Sequence, residues 1–431
     1  MKIAYVLDTF PVISQTFVVE ELFGLRRRGF QVLPYALVHK QVDDPIPAAY
    51  RDLEREVVFV PSAPAALALA KGHGWLLLRH PLRYVTTLWW AWRKRLTRSA
   101  LSLLKTAWTL ARGRPVDKRS REDVIWHFAL VPALVNDMTR RGVRHVHAHF
   151  ADNSASFGLL CARLLGVSFS VTAHAFDIFT NPPLLPEKLA RARFVTTCTT
   201  RGLEKLRAVA NASGVRVRLR LVYHGVDLSR FRPAATEPQG PPVLLSVGRL
   251  VPKKGFDVLL KAAAALEQNG HSFVLRIVGE GPERERLESL RRQLGLERVV
   301  RFVGSVSPEE MPRVYHEAHV FVLPSVIDAR GDRDGIPNVA AEAMASGLPV
   351  VSTTASAISD LVRDGTEGFL VPEKDDVALA EALARLLVDP ALRRRMGRAG
   401  RTRVEAVFDR EKCIDELASL FREELGSEVR G

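Results

Sequence analysis

Two stretches of this chain gather cations, carboxylates and backbone donors in an order that suits a phosphorylated ligand. The run 244–255 reads Leu-Leu-Ser-Val-Gly-Arg-Leu-Val-Pro-Lys-Lys-Gly: an apolar strand, a turn at Gly248, and a loop carrying Arg249 and Lys254 into a helix start. An arginine fork and a lysine point charge on one loop can clamp a diphosphate and neutralise the charge that builds on it as a bond to it breaks. The bland alternative is a pair of solvated surface cations.

The second stretch runs from Asp334 through Gly335, Ile336, Pro337, Asn338 and Val339 to Glu342, a loop entering a helix. Amides after Gly335 stand at a helix start, where backbone donors lack intrahelical partners and suit sugar hydroxyls. Glu342, two turns in, can accept from a ribose diol, although a lone glutamate there also reads as a helix-surface charge. In the first half, the strand from Ser168 to Ala173 ends at His174, which can be either a cleft residue or a satisfied structural histidine. His145, His147 and His149 alternate along one strand and share a face, but no carboxylate or cysteine spacing in the sequence completes a metal set.

These residues must be positioned by the elements around them. Short apolar runs near 2–7, 31–37, 144–148, 168–173 and 193–198 alternate with helical stretches such as 15–28. A second series near 243–247, 273–278, 299–303, 319–323 and 349–353 repeats the pattern. Alternation of this kind predicts two parallel α/β sheets, with ligands at the carboxyl ends of the strands and a cleft between the domains. A chain of 431 residues is long enough for two such domains. The proline-rich segment from Phe231 to Pro242 forbids regular structure. It sets the boundary near 236: domains 1–235 and 236–405, with a last helix over 406–431 packing back on the first.

The formal charge of +14 asks for an anionic partner. Thirteen lysines and arginines against Asp117 alone give residues 71–121 an excess of +12, and all six tryptophans (Trp75, Trp89, Trp90, Trp92, Trp108, Trp126) lie in or just after that stretch. Tryptophan interleaved with arginine fits an anionic membrane surface; the competing reading is a helical cap with a tryptophan core. Arg79, Arg83 and Arg93 interrupt every apolar run, so the segment, a helical insertion over about 65–125, is expected to lie on a bilayer rather than span it. No helix-turn-helix, zinc-finger, RNA-recognition or KH pattern organises the charge, which argues against nucleic acid. Cys161, Cys198 and Cys413 are widely spaced and unpaired in pattern, and the chain opens directly on a strand, so a cytoplasmic protein with reduced thiols is expected.

Taken in order, Gly248-Arg249 with Lys254-Gly255, Ile277 to Pro282, Phe302-Val303-Gly304, Val322 to Ser325, Asp334 to Glu342, and Gly365 to Pro372 resemble the motifs of the large group-1 family of retaining glycosyltransferases, especially its bacterial exopolysaccharide branch. The resemblance runs over essentially the whole chain. It implies the GT-B fold, two Rossmann-like parallel-sheet domains facing across a cleft, and transfer from a UDP- or GDP-sugar to a saccharide or lipid-linked saccharide with retention at the anomeric carbon. It implies that Arg249 and Lys254 hold the diphosphate, the segment around Val306 the base, and Glu342 the ribose. Asp334 with the amides of Ile336 to Val339, and His174, would then hold the transferred sugar. Asp334 is one methylene shorter than the family's usual glutamate. Thr9 to Val18 replaces the glycine-rich loop of many relatives, and Ser14, Gln15 and Thr16 are candidates to bond phosphate or acceptor. His224-Gly225-Val226-Asp227 resembles the interdomain signature. Asp332-Arg333-Asp334 imitates a metal-binding Asp-x-Asp pair, yet enzymes of this fold generally need no metal, and none is expected here. An epimerase or hydrolase on the same scaffold, or a non-catalytic membrane adaptor, are the alternatives.

Overall fold

The computed structural model describes all residues except 13–15, 41–47, 61–65, 95–123, 180–181, 330, 356 and 427–431. The chain forms two compact units, one of Met1–Thr197, Gly202–Leu221 and Leu417–Gly431, the other of Cys198–Arg201 and Val222–Glu416. The main passage from first to second thus falls at Leu221–Val222, earlier than the proline-rich segment at which the sequence sets the boundary. Val226 and Phe231 already belong to the second unit's hydrophobic core, which is why the unit begins before the prolines.

The first unit holds a seven-stranded, wholly parallel sheet in the order β3-β2-β1-β4-β5-β6-β7. Its strands are β1 (Lys2–Phe10), β2 (Gln31–His39), β3 (Val58–Phe59), β4 (His145–His149), β5 (Ser168–Ala173), β6 (Phe194–Thr197) and β7 (Arg218–Leu221). Residues Ile3 to Val6 of β1 are completely buried, as a central parallel strand covered on both faces requires. The edge strands β3 and β7 escape a reading for apolar runs, since one has two residues and the other alternates Arg-Leu-Arg-Leu. The helix Asn153–Leu165 packs over β4, capped by Asp152 at one end and by left-handed Gly166 at the other.

The insertion begins as the helices Ala66–Arg79 and Pro81–Arg93. Leu76, Thr87 and Ala91 are buried, while Leu78, Leu82, Trp89 and Trp92 are 86%, 81%, 58% and 47% exposed. The remainder, including Trp108 and most of the basic residues, lies outside the described residues. Among the described residues no helix is long and apolar enough to cross a membrane.

The second unit repeats the topology in six parallel strands, β10-β9-β8-β11-β12-β13. These are β8 (Val243–Val247), β9 (Val274–Val278), β10 (Val300–Gly304), β11 (Val320–Leu323), β12 (Val350–Thr353) and β13 (Gly368–Val371). Both sheets reverse direction of growth beside their first strand, at β1/β4 and β8/β11, and it is outside the carboxyl ends of strands at such a point that open α/β sheets bind ligands. The last helix, Arg410–Gly426, starts in the second unit and ends in the first, where Phe421 packs on Phe30, Phe194 and His147 at ring-centroid distances of 5.8, 5.3 and 5.3 Å.

Candidate functional site

The second unit's site grows from the end of β8. Leu244 and Leu245 are fully buried, so the strand's register is fixed and Gly248 emerges where the sheet reverses. The Gly248 amide donates to the Val278 carbonyl (2.9 Å), tying the loop after β8 to the end of β9. Arg249 is exposed and, among the described residues, forms no ion pair. A short 3-10 turn, Pro252–Lys254, then leads to Gly255 with φ +67°. A Cβ at Gly255 would lie 1.9 Å from the Pro324 carbonyl oxygen after β11, so a left-handed glycine is the residue that lets the two loops of the switch point touch.

That approach sets Lys254 against Asp334. Lys254 Nζ donates to Asp334 Oδ2 at 2.8 Å, and Ser325 Oγ donates to the same oxygen at 2.9 Å. Lys253 completes the cluster, 3.1 Å from Asp332 and 3.6 Å from Asp334. Burial alone would raise the Asp334 carboxyl, but the Lys254 and Lys253 charges and the two hydrogen bonds outweigh it and hold the group below its ordinary value. The Asp-x-Asp look-alike is therefore an anchor for two lysines.

After Asp334 come Gly335 and Ile336, and then the helix Asn338–Ala345 begins behind Pro337, with no side chain capping it. Pro337 at the cap and the small residues Ala340, Ala341, Ala343 and Ala345 let this helix sit close against the sheet, all buried. Glu342 projects from its second turn and is held at Oε2 by the Tyr315 hydroxyl (2.8 Å). Burial pushes its carboxyl up, against the pull of that hydrogen bond and of Arg230. Val306 is half-buried in the loop after β10, against the edge of the core.

The first unit's candidates stand at the ends of β1, β4 and β5. His174 is buried, its amide donating to Asp177 Oδ1 at 2.7 Å and its ring against Phe150, His149 and Phe17 at 4.3, 4.8 and 5.2 Å. Asp177 also accepts from the Ala151 amide, and buried Lys188 donates to the carbonyls of Ala151 and Asp152 at 2.7 and 2.8 Å, so the turns after β4 and β5 are stitched together. Thr16 is exposed at the start of the helix Thr16–Arg27; Ser14 and Gln15 lie outside the described residues.

The three strand histidines do share a face. His145 bonds Ser168 and Ser170, and His147 bonds Ser170 and Thr172 at 2.7 and 3.1 Å. The sequence offered no carboxylate at metal spacing, but the fold brings one: ligand atoms of Glu21, His147 and His149 lie within 4.8 Å of one another. Glu21 is the acceptor of the Tyr5 hydroxyl, and burial pushes its carboxyl up to about 8. Both nitrogens of His145 and of His147 already have hydroxyl partners, so these two histidines read as a satisfied polar core.

Ser325, Lys253, Tyr315, Asp177, Lys188 and Glu21 went unassigned in the sequence. Ser325 had a signal, since it closes the Val322 to Ser325 motif; Tyr315 and Glu21 had none, because their partners lie far along the chain.

The Glycosyl transferases group 1 family model matches residues 229–403, the stretch that holds this lysine–carboxylate cluster and the helix after it. Beyond that stretch, the alpha-D-kanosaminyltransferase of Streptomyces kanamyceticus is 30% identical over 304 residues, covering 65% of this chain and 76% of that protein. The chain belongs to the group 1 glycosyltransferases. The putative colanic acid biosynthesis glycosyltransferase WcaL of Escherichia coli (strain K12) is 42% identical to this group 1 chain over 205 residues, 46% of the chain. The chain spans about half the length of that relative, 49%. Sucrose-phosphate synthase from Thermosynechococcus elongatus superposes on it with a TM-score of 0.71 at 20% identity, covering 99% of each chain. Anabaena HepE, solved with UDP and glucose, does so with a TM-score of 0.68 at 17% identity, covering 98% of this chain and all of that one. The fold of this group 1 chain is therefore GT-B, with two Rossmann-like parallel-sheet units.

Proposed function

We propose that this chain is a retaining glycosyltransferase that moves a sugar from a UDP- or GDP-sugar to a saccharide or lipid-linked saccharide acceptor in exopolysaccharide synthesis. The observation that carries it is the cation cluster at the β8/β11 switch point, Lys254 beside Asp334 with Arg249 exposed on the same loop, followed directly by a helix start. The UDP and glucose bound in the HepE structure support a nucleotide-sugar donor, and similarity to a colanic acid biosynthesis glycosyltransferase supports the polysaccharide setting.

In this reading Arg249 and Lys254 take the diphosphate and stabilise it as the anomeric bond lengthens, while the Val306 loop takes the base and Glu342 the ribose. Asp334, the amides of Ile336 to Val339, and His174 hold the sugar; Ser14, Gln15 and Thr16 are assigned to bonding phosphate or acceptor. The acceptor hydroxyl attacks the face that the diphosphate leaves, and the departing phosphate takes its proton, so positioning and charge stabilisation supply the catalysis. The charge on the leaving group is met by side-chain cations, which motivates a metal-independent reaction.

The protein is further proposed to work in the cytoplasm, against the anionic inner face of the membrane. Leu82, Val85, Leu88, Trp89 and Trp92 form an exposed apolar stripe along Pro81–Arg93, at the 3- and 4-residue spacing of one helix face. Arg93 stacks over Trp89 at 4.7 Å, which places a cation at the border of that stripe.

The test is a thermal-shift and donor-turnover screen against UDP-, GDP- and ADP-sugars in EDTA, with Arg249→Ala and Glu342→Ala alongside. Stabilisation and turnover with one donor, lost in Arg249→Ala, is the expected result. No response to any sugar nucleotide would overturn the donor reading, and activity that vanishes in EDTA and returns with magnesium would overturn metal independence.

A further inference from the structure

Glu342 is oriented by a residue on another element. Tyr315, on the short helix Met311–His316, is fully buried, its ring edge-on to Phe231 at 5.7 Å and tilted against Phe321 at 6.2 Å between centroids. A ring wedged between two phenylalanines leaves its hydroxyl a single position. There the O–H is shared between Glu342 Oε2 (2.8 Å) and the Val339 carbonyl (3.1 Å), both on the helix Asn338–Ala345. One hydroxyl thus fixes the first turn of that helix and the carboxylate of its second turn. Because Oε2 is engaged, the Glu342 rotamer is set before any ligand arrives and Oε1 is left to accept.

We propose that Tyr315 is a positioning residue for nucleotide binding: it holds the Glu342 carboxylate ready to accept from the ribose diol, so that its loss weakens recognition of the ribose and leaves recognition of the diphosphate in place. This rests on the reading of Glu342 as the ribose contact. The same hydroxyl favours the ionised form of Glu342, as does Arg230 from the turn before Phe231, while burial acts the other way and dominates. Removing the hydroxyl is therefore expected to raise the pH at which the carboxylate becomes available.

The experiment compares binding of UDP and GDP with their 2′-deoxy and 3′-deoxy forms, by calorimetry from pH 5 to 9, in the wild type, Tyr315→Phe and Glu342→Gln. Phenylalanine keeps the ring contacts, so folding is checked by an unchanged melting temperature; if Tyr315→Phe does not fold, the wild-type pH profile together with Glu342→Gln still decides. The wild type is expected to favour ribose over one deoxyribose by about tenfold, the scale of a hydrogen bond to a charged group. That preference should fall as pH drops through the Glu342 carboxyl. In Tyr315→Phe it should shrink to less than about threefold at pH 7, with its pH midpoint moved up and deoxynucleotide affinity nearly unchanged. A full preference with an unmoved midpoint in folded Tyr315→Phe, while Glu342→Gln abolishes it, would overturn the positioning role and leave the donor reading intact. A wild-type preference that does not vary with pH, or that survives Glu342→Gln, would overturn the carboxylate's part and with it the role of Tyr315. Failure of the wild type to bind any of the nucleotides would sink the donor reading itself.

Discussion

The two units share one topology and bury opposite chemistry beneath it. In the first sheet, the strand after the reversal point carries His145, His147 and His149 against Ser168, Ser170, Thr172 and Thr196, all buried. In the second, the equivalent strand β11 is Val-Phe-Val-Leu, also buried, beside Leu244 and Leu245 of β8. The outer surfaces differ as well: the first unit shows Leu78, Leu82, Trp89 and Trp92 to solvent, whereas the large apolar residues exposed on the second are single valines, Val303, Val377, Val388 and Val407. A parallel sheet asks its strands to be buried, and both an apolar run and a hydrogen-bonded polar ladder satisfy that demand. The apolar solution leaves stability nearly indifferent to pH, and the polar one ties it to the protonation of its members.

The two units should respond most differently to a methyl group added at one glycine of each. Gly255 and Gly214 both have positive φ, +67° and +64°, but a Cβ at Gly255 meets the Pro324 carbonyl whereas one at Gly214 meets nothing within 4 Å. Gly255→Ala is expected to cost the second unit about 3 kcal/mol or more in urea unfolding and to abolish nucleotide binding, and Gly214→Ala about 1 kcal/mol. Equal costs would mean that the contact of the two switch-point loops is not what Gly255 serves.

A smaller effect sharpens the polar side. The Glu21 carboxyl is pushed by burial from 4.5 to about 8, so between those values the folded chain holds a proton that the unfolded chain has lost. Its contribution is complete below 4.5 and disappears as pH rises through 8. Burial lowers His147 to about 3 from 6.5, so that contribution is instead lost as pH falls from 6.5 toward 3. Glu21→Gln keeps an acceptor for Tyr5 and removes the titration. From pH 5 to 9 the wild-type Tm should drop relative to the variant by about 5 °C for the first unit's transition; parallel Tm curves would contradict the buried proton.

Trp89→Ser with Trp92→Ser should weaken sedimentation with anionic liposomes by roughly tenfold and leave folding intact, in keeping with the loss of two interfacial aromatics. Equal binding to anionic and zwitterionic liposomes by the wild type would remove the membrane reading and favour a tryptophan cap.

Much of the candidate site's local arrangement was legible because its parts are continuous in the chain. Gly248 through Gly255 and Asp334 through Glu342 each form one continuous strand-loop-helix or loop-helix unit, and within each unit the charges lie close along the chain. Alternating apolar runs likewise placed most strands, and missed Val58–Phe59, Arg218–Leu221 and Gly368–Val371, where a strand is too short or too charged to show a period. The type and order of most elements, the cations on the loop after β8 and the unusual charge of the insertion were thus determined by the sequence by itself. What only the tertiary structure decided are the pairings between distant residues: Lys254 with Asp334, Glu342 with Tyr315, Glu21 with the histidine ladder, and Lys188 with the turn after β4. The reason is physical. A hydrogen bond of about 3 Å between residues tens of positions apart depends on how strands order and helices pack, and a local pattern of residue types carries no record of either.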